Sequence, residues 1–270
     1  MDQARLDKAA EWLAQARVAG PGQNGLPVSE MPAELRPATA EEGYAIQRRV
    51  RDRLIDRGQG KLIGWKVGAT TAPMQKLLNL SGPAAGSMLE SAEMRSPGTL
   101  RFADFRKVGI ECEVCVKLKS ALPATPGQKV DRAAAAAAVG SIFPAIEVVD
   151  NRYGDFTQIG APTIIADGVF HHAIILGDEI KDWQKLDLVE CDGTTSADGE
   201  VKLKGKGKDV LGHPLESLAW LANHLATQGE RLEAGQIVMT GSLPLPYWAN
   251  KGETVEIRIS GLGSATAVIS

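Results

Sequence analysis

Apolar residues recur at helical spacing in the first part of the chain. Over residues 4–18, leucines and alanines fall three or four positions apart, which predicts an N-terminal helix. Glycines and prolines across residues 21–38 then predict an extended loop. A second helix is predicted to begin at Thr39, because Thr39 and Glu42 have the spacing of a capping box ahead of an amphipathic run that reaches Arg57.

Two more helices are predicted in the second half of the chain. Six consecutive alanines at residues 133–138 follow Asp131 between two apolar runs, and alanine has the highest helix propensity, so a short helix is predicted there. Pro214 stands at the head of a periodic apolar stretch that ends before Gly229. Proline suits the first helical turn and glycine the end, so this is the most strongly signalled helix in the sequence.

The remaining apolar runs are short and are bounded by glycine or proline, which is typical of strands. The last two runs are joined across residues 261–263 and predict a hairpin. Strands follow one another without regular alternation with helices, so the pattern favours an α+β fold with a curled mixed or antiparallel sheet over a doubly wound one. The predicted strands are residues 62–67, 110–118, 142–149, 163–166, 172–176, 236–240, 254–259 and 265–269.

Composition and charge narrow the class of protein. The chain has 270 residues, of which 44% are hydrophobic and 23% charged, as is ordinary for a globular protein. A formal net charge of -3 gives no strong field for nucleic acid or anionic lipid, and nowhere does the chain offer the roughly 18 consecutive apolar residues of a membrane span. Three cysteines do not suggest a disulfide framework. We therefore expect a cytoplasmic protein that acts on a small molecule, without nucleic-acid or membrane partners.

Two acidic residues lie close together in the predicted strand 110–118. Alternate strand residues face the same side, so Glu111 and Glu113 share one face while Ile110 and Cys112 share the other. Neighbouring carboxylates repel unless a cation lies between them, and their oxygens suit a hard cation such as Mg²⁺. A solvent-facing acidic strand face is the alternative, and the spacing alone favours the two interpretations equally.

A third carboxylate lies in the apolar strand 142–149. Glu147 has apolar neighbours on both faces, and a charge in such a setting is costly to bury unless it is paired or bound to a metal. If Glu147 joins the acidic pair, the protein ligands of a Mg²⁺ site are complete, with the remaining positions left to water and substrate oxygens. The alternative is a buried salt bridge to Arg152 or to a lysine.

A lone lysine, Lys66, lies in the apolar strand 62–67 next to glycines that allow close approach of a ligand. It could bind a carboxylate or transfer a proton. The alternative is a lysine that protects an exposed sheet edge, and without the other motifs that alternative would prevail.

Other polar residues are weaker candidates. Cys112 and Cys115 are an odd number of positions apart on a strand, so they face opposite sides and predict neither a zinc site nor a redox pair. His213 fits a helix cap, and His224 is expected on the helix surface. The lysine-rich run 202–208 is expected to be a mobile solvated loop, with attraction of anionic substrates as its alternative role.

Six segments match a known pattern when they are taken together and in order. They are GWKVG at 64–68, GIECEV at 109–114, FPAIEVVDNR at 143–152, GHPLESLAWLANHLA at 212–226, VMTGSL at 238–243 and GLGSATAVI at 261–269. Over nearly its whole length the chain resembles the 2-oxopent-4-enoate hydratase and 4-oxalocrotonate decarboxylase family, within the fumarylacetoacetate hydrolase superfamily. Any one segment would be a weak sign, but six together are specific for the family, though less so for its individual reactions.

The resemblance implies a fold and a metal site. The fold is the curled mixed β-sheet core of the fumarylacetoacetate hydrolase C-terminal domain, here residues 61–270, with residues 1–60 as an N-terminal helical segment packed on it. The resemblance also implies a divalent cation, Mg²⁺ or Mn²⁺, held by Glu111, Glu113 and Glu147. Family members form homo-oligomers, so a homo-oligomer is expected here.

The resemblance also implies a reaction. A metal that chelates a small 2-oxo acid through its carboxylate and keto oxygens stabilises the enolate that develops, and this serves both hydration and decarboxylation. Lys66 and Asp167 are the expected catalytic residues. The residues expected to bind the substrate are Lys66, Gly68, His171, Thr240, Gly241 and Ser242.

The chain departs from the family pattern in two places. Hydratases of the family usually carry an acidic residue in a P-D-[FY]-G segment, and here Ala84 and Ala85 replace the acid and the aromatic ring. Decarboxylases have an apolar residue at the acidic position, although Ala85 is typical of neither branch. Phe170 and His171 stand where the family tends to have small residues, which indicates a reshaped pocket.

These features rank the possible functions. A hydratase of 2-hydroxydienoates, as in the breakdown of aromatic compounds, comes first, and a 4-oxalocrotonate-type decarboxylase follows closely. A C–C bond hydrolase of the superfamily is third. A non-catalytic protein that binds 2-oxo acids is the alternative from another class, but a retained carboxylate trio argues against it, since buried like charges without a cation are destabilising.

Overall fold

The computed structural model of the protein describes residues 1–19, 27–123 and 129–270. The helices in these ranges are α1 (Gln3–Ala19), α2 (Ala40–Asp56), α3 (Ala72–Leu77), α4 (Arg132–Ala138), α5 (Ala161–Ala166) and α6 (Pro214–Thr227). The strands are β1 (Leu62–Gly68), β2 (Ala84–Leu89), β3 (Glu93–Arg95), β4 (Gly98–Leu100), β5 (Val108–Leu118), β6 (Val139–Asp150), β7 (His171–Leu176), β8 (Asp192–Ala197), β9 (Glu200–Lys206), β10 (Ile237–Ser242), β11 (Tyr247–Trp248), β12 (Thr254–Ile259) and β13 (Gly263–Ile269). None of the described helices is long and apolar enough to cross a membrane.

The larger sheet is mixed and has the strand order β2-β1-β10-β5-β6-β7-β3, with β11 paired to β5. β1 runs parallel to β10, and β3 runs parallel to β7, while the long central strands β5 and β6 are antiparallel. A second sheet has the order β4-β13-β12-β8-β9 and packs against the outer face of β5 and β6. The predicted α+β fold with a curled mixed sheet is therefore confirmed.

The inner face of the larger sheet has an apolar end and a polar end. The apolar end is a small cluster separate from the main core, and its members alternate along the strands with residues that face outward. At the other end of the same face lie the glutamates of β5 and β6. The cluster consists of Met88, Cys115, Phe143, Ala145, Ile174, Leu176, Ile237 and Met239. Buried side chains thus anchor the strands that carry the polar end.

The two N-terminal helices pack on the rest of the molecule through apolar faces. α1 contacts α2, and α2 contacts α5. Leu13 of α1 and Ile46 of α2 are fully buried and belong to the main core. The division of the chain into a helical segment over residues 1–60 and a catalytic domain over residues 61–270 stays a prediction.

Local signals place the helix starts as predicted. The Thr39 hydroxyl accepts the backbone N–H of Glu42 at 3.3 Å, and the Asp131 carboxylate accepts that of Ala134 at 2.8 Å. At α6, Nδ1 of His213 accepts the backbone N–H of Leu215 at 2.9 Å. These side chains satisfy amides that have no partner in the first turn of a helix.

Three predictions about local structure are wrong. Residues 163–166, expected as a strand, belong to helix α5, because a short apolar run that is buried all round has no distinguishing period and Pro162 favours the first helical turn. The lysine-rich run is mostly strand β9, which pairs with β8. His224 is half-buried, with its ring stacked on Trp220 at 4.9 Å between centroids.

The extended loop expected over residues 21–38 is only partly described. Residues 20–26 lie outside the described ranges. Two 3₁₀ turns, Val28–Glu30 and Ala33–Leu35, occupy half of the remainder. Short 3₁₀ turns are common in connections between helices, so glycine and proline marked a connection here without specifying its conformation.

Candidate metal centre

Strand pairing brings three carboxylates together. Glu111 on β5 lies directly opposite Glu147 on β6, and Glu113 follows two residues along on the same face of β5. One carboxylate oxygen from each lies within 4.8 Å of the others. Glu113 and Glu147 are fully buried. The alternative of a solvent-facing acidic strand is therefore wrong, and these three residues are called the glutamate trio below.

A buried lysine adjoins the glutamate trio. Nζ of Lys66 lies 3.2 Å from Oε1 of Glu147, and the lysine is only 2% exposed. Its strand, β1, lies between β2 and β10, so the alternative of an edge-protecting lysine is wrong. The salt bridge from Glu147 to a lysine, given above as an alternative to the metal site, does form, but one lysine neutralises at most one of three carboxylates. The site remains strongly negative unless it binds protons or a cation.

The electrostatics of the trio show this excess of negative charge. Burial raises the pKa of Glu111 to about 8, with the neighbouring Glu147 carboxylate adding to the effect of burial. Burial also raises the pKa values of Glu113 and Glu147. For Lys66 burial favours the neutral amine, but the nearby carboxylates outweigh it and raise its pKa above the ordinary value. Lys66 is thus a cation, and the carboxylates compete for protons when no metal neutralises them.

The donor set fits a hard divalent cation. Within the described part of the chain, Oε1 of Glu113 and Oε2 of Glu147 are buried without a hydrogen-bond partner. A buried carboxylate oxygen is costly to leave unsatisfied. The other oxygen of Glu113 accepts the backbone N–H of Gly241 at 2.7 Å, which fixes its orientation. Converging carboxylate oxygens of this kind are suitable ligands for Mg²⁺ or Mn²⁺.

His171 touches the trio from β7. Its Nδ1 lies 3.0 Å from Oε1 of Glu147, and its ring is buried. Burial, together with the nearby cations, lowers the pKa of His171 well below its usual range, so the ring is neutral. A neutral ring that donates from Nδ1 to an ionised Glu147 orients that carboxylate.

The backbone before His171 adopts an unusual conformation. Gly168, Val169 and Phe170 all have positive φ, at 73°, 55° and 65°. For a β-branched residue such as Val169 this is a genuine outlier, and each such residue costs on the order of 1–3 kcal/mol. Strain of this kind persists only where surrounding contacts enforce it, and here it delivers the His171 ring to Glu147.

Two arginines hold this strained segment in place. Arg152 forms an ion pair with Asp167 at 2.8 Å, and Arg17 of α1 lies 3.2 Å from the same carboxylate. Arg17 also donates to the backbone carbonyl of His171 at 2.9 Å, and Arg152 donates to it at 3.3 Å. We call Arg17 and Arg152 the arginine pair. Arg152 is therefore committed to Asp167, so the alternative in which it pairs with Glu147 is wrong.

The role of the arginine pair has little signal in the sequence. Its only signal was that Arg17 occupies a position on the apolar stripe of the first helix, where a charge requires a partner. Asp167, the expected catalytic residue, is fully buried and accepts hydrogen bonds from Arg152 and from the Tyr153 hydroxyl, the latter at 2.9 Å. Its catalytic role stays a prediction.

The residues expected to bind substrate lie at the site, and each has its own contacts within the protein. Nζ of Lys66 would lie 3.0 Å from a Cβ added to Gly68, so Gly68 leaves room for the lysine. The Thr240 hydroxyl donates to the carbonyl of Val114 at 2.8 Å. The Ser242 hydroxyl is buried and, among the described residues, has no partner. The roles of these residues and of Gly241 and His171 in substrate binding stay predictions.

An open cleft of about 740 Å³ leads to the trio. Its lining includes Glu111, Gly68 and Ser242. Ala69 and Leu211 also line it, and both have positive φ, at 54° and 49°. This volume is within the range of small-molecule sites, and residues in strained conformations cluster at such sites. The cleft is therefore the natural approach to the trio for a ligand.

The fold and the glutamate trio define a class of α+β proteins with a carboxylate cation site on the inner face of a curled sheet. The chain belongs to the fumarylacetoacetate (FAA) hydrolase C-terminal family, whose model matches residues 73–270. The family resemblance in the sequence is thus confirmed.

Individual relatives narrow the comparison. The chain is 31% identical over 269 residues to a 2-keto-4-pentenoate hydratase of Paraburkholderia phymatum, covering 100% of this chain and 99% of the relative. It is 31% identical over 229 residues to a 4-oxalocrotonate decarboxylase of Pseudomonas putida, covering 85% of each. The structure matches that of 4-oxalocrotonate decarboxylase from Pseudomonas putida G7, complexed with magnesium and adipate, with a TM-score of 0.87, 28% identity and coverage of 100% of this chain and 99% of that chain.

Proposed function

We propose that the protein is a Mg²⁺-dependent lyase that acts on a small 2-oxo acid, with hydration of a 2-hydroxydienoate as its reaction and Mn²⁺ as an alternative cation. The buried glutamate trio beside Lys66, at the end of an open cleft, is the observation that carries this proposal. The hydratase that matches the chain over its full length supports it.

The chain's own residues supply binding and proton-transfer groups. A cation held by the trio would supply Lewis-acid stabilisation of the negative charge that develops on the oxygens of the substrate. Lys66, charged and buried, binds the substrate carboxylate or donates a proton to a developing carbanion. His171 and the Gly241 amide keep Glu147 and Glu113 oriented.

Decarboxylation is the second candidate, and Ala84 favours it. Ala84 lies on β2 directly opposite Gly68, fully buried beside the site, where hydratases of the family usually carry an acid. An apolar residue at this position offers no group to activate water. Loss of CO₂ needs only that the conjugated 2-oxo acid accept the electron pair of the broken C–C bond. The magnesium-bound decarboxylase that resembles this structure supports that reaction.

Turnover of two substrates separates these reactions. The purified protein should be incubated with 2-hydroxypenta-2,4-dienoate and, separately, with 4-oxalocrotonate, each with and without Mg²⁺. We expect metal-dependent loss of the dienoate and formation of a hydrated product. Turnover of 4-oxalocrotonate alone would replace hydration with decarboxylation, and no metal-dependent turnover of either would refute the lyase proposal.

The setting of the enzyme is also part of the proposal. We propose a homo-oligomer, as the family resemblance implies, and a cytoplasmic location. All three cysteines are free and buried, which suits a reducing compartment. Cys112 lies in the main core and Cys115 in the inner apolar cluster, on opposite faces of β5 as predicted.

A further inference from the structure

A second cavity, of about 410 Å³, has no lining residue in common with the cleft that leads to the glutamate trio, among the described residues. Helix α1, strands β2 and β7 and the segment just before β5 contribute to its wall. His171 connects the two sites, because it lines the cavity and its Nδ1 lies 3.0 Å from Oε1 of Glu147. The volume is within the range of small-molecule sites.

The wall of this cavity carries more positive than negative charge. Its described lining contains four arginines and two aspartates, which are Arg17, Arg101, Arg106 and Arg152, and Asp104 and Asp150. Asp104 is already paired with Arg101. Asp150 accepts two backbone N–H groups, at 3.1 and 2.9 Å. Both carboxylates of the wall are therefore engaged within the protein.

The arginine pair carries an unmatched charge into the cavity wall. Arg17 and Arg152 share the single carboxylate of Asp167, at 3.2 and 2.8 Å, and one carboxylate neutralises at most one guanidinium group. Arg152 is only 7% exposed, so water screens this excess poorly. Burial and the neighbouring Arg152 lower the pKa of Arg17 below its ordinary value, as expected for a cation with too little negative charge around it. Nη2 of Arg17 donates to the backbone carbonyls of Asp167 and His171, whereas Nη1 makes no hydrogen bond within the described ranges.

Apolar side chains form much of the remaining wall. They include Leu54, Leu89, Met94, Leu100 and Phe105. The ring of Phe105 packs against that of His172, with 4.4 Å between the ring centroids. A flat apolar surface beside guanidinium groups suits a ligand that has a carboxylate at one end and an apolar body.

We propose that this cavity is a second ligand site, which binds a small organic acid with its carboxylate on Arg17 and its apolar body against Phe105 and the neighbouring leucines. The guanidinium group is planar and offers N–H donors in a fixed arrangement that matches the two oxygens of a carboxylate. The bound acid supplies the negative charge that the arginine pair lacks. The site is distinct from the glutamate trio, so the inference goes beyond the proposed reaction and does not depend on it.

Binding of benzoate and benzamide tests the proposal, because the two probes have the same shape and only benzoate is charged. Calorimetric titrations should use metal-free protein, in which the glutamate trio repels carboxylates and does not compete for benzoate. Benzoate should bind to the wild-type protein at least about 10-fold more tightly than benzamide, as expected for a hydrogen bond between charged groups. Arg17→Gln should lower the affinity for benzoate by a similar factor, and Arg17→Lys, which keeps the charge, should recover part of it.

Arg5→Gln is the matched control. Arg5 lies on the same helix and also donates to backbone carbonyls, those of Glu34 and Arg36, but it is outside the cavity lining. This variant should bind benzoate with wild-type affinity.

A second variant tests the cavity without removing an arginine, and so decides the question even if Arg17→Gln does not fold. Ala92 is a partly buried residue of the wall, and Ala92→Phe places a ring in the space proposed for the ligand. Benzoate binding should be lost in this variant. Absence of benzoate binding to the wild-type protein, equal affinity for the two probes, or wild-type affinity in Arg17→Gln or Ala92→Phe would overturn the proposal. None of these measurements uses Mg²⁺ or a 2-oxo acid, so the lyase proposal is tested separately.

Discussion

Replacement of Glu147 by glutamine is the most direct test of the metal centre, because glutamine keeps the size of the side chain and removes its charge. Glu147 is fully buried, lies opposite Glu111, and contacts Lys66 at 3.2 Å and His171 at 3.0 Å. With the charge removed, a cation loses one of three carboxylate ligands. Removal of a residue that only hydrogen-bonds to a metal ligand weakens metal affinity by about 10- to 100-fold. Loss of the ligand itself should therefore weaken Mg²⁺ affinity by at least this much.

This loss converts into a thermal shift. At a Mg²⁺ concentration about 100 times Kd, binding stabilises the folded wild-type protein by about 2.7 kcal/mol, whereas a variant with about 100-fold weaker affinity gains only about 0.4 kcal/mol. The difference of about 2.3 kcal/mol corresponds to roughly 4 °C in Tm for a chain of 270 residues, because the unfolding entropy of such a chain is about 0.57 kcal/mol/K. The rise in Tm on addition of MgCl₂ should therefore be large in the wild-type protein and nearly absent in Glu147→Gln.

Thermal unfolding with and without MgCl₂, together with calorimetric titration of Mg²⁺, measures both quantities. Glu200→Gln is a suitable control, since Glu200 is exposed and lies on β9 away from the trio. If Glu147 served only in a structural ion pair with Lys66, the variant would instead lose about 3–5 kcal/mol of stability without Mg²⁺. An unchanged Mg²⁺ affinity in Glu147→Gln would refute the assignment of this residue as a ligand.

Three further predictions concern the same site. Because the pKa of Glu111 is about 8, a cation must displace protons at neutral pH, so the apparent Kd for Mg²⁺ should fall as the pH rises toward 8. Calorimetry in buffers of different ionisation enthalpy should detect the proton release. A pH-independent Kd would contradict this. Asp167→Asn leaves the buried Arg152 and the partly buried Arg17 without their carboxylate and should cost about 3–5 kcal/mol in the free energy of unfolding, measured by urea denaturation. A purely catalytic Asp167 would instead lower kcat with little change in stability. Gly68→Ala places a methyl group at 3.0 Å from Nζ of Lys66. It should reduce kcat while the circular dichroism spectrum stays native. Full activity would show that the position of the lysine is not critical.

Local signals in the sequence were sufficient for most helices and long strands. Caps at Thr39 and Asp131 act through neighbouring backbone amides, so their effect is independent of the rest of the fold. The error at residues 163–166 arose where such signals are absent, since a fully buried short segment is apolar on every side in either conformation. Strand β9 was missed for a related reason, because its lysines are exposed and carry no apolar alternation.

In the site as well, features set by neighbouring residues were predictable from the sequence, whereas contacts between residues distant in the chain were not. Alternation along one strand determined that Glu111 and Glu113 face the same side, and the apolar neighbours of Glu147 determined that it is buried. The sequence also determined, through the cost of burying a charge, that such residues need a cation or another partner.

Only the tertiary structure decided which partners meet. The pairing of β5 with β6 placed Glu147 opposite Glu111, and the inner position of β1 turned Lys66 from a possible edge residue into a buried cation. The contact of Arg17 with the carbonyl of His171 joins residues 154 positions apart. No local pattern specifies such contacts, because they depend on strand order and on how helices pack over the sheet, and these are properties of the whole chain.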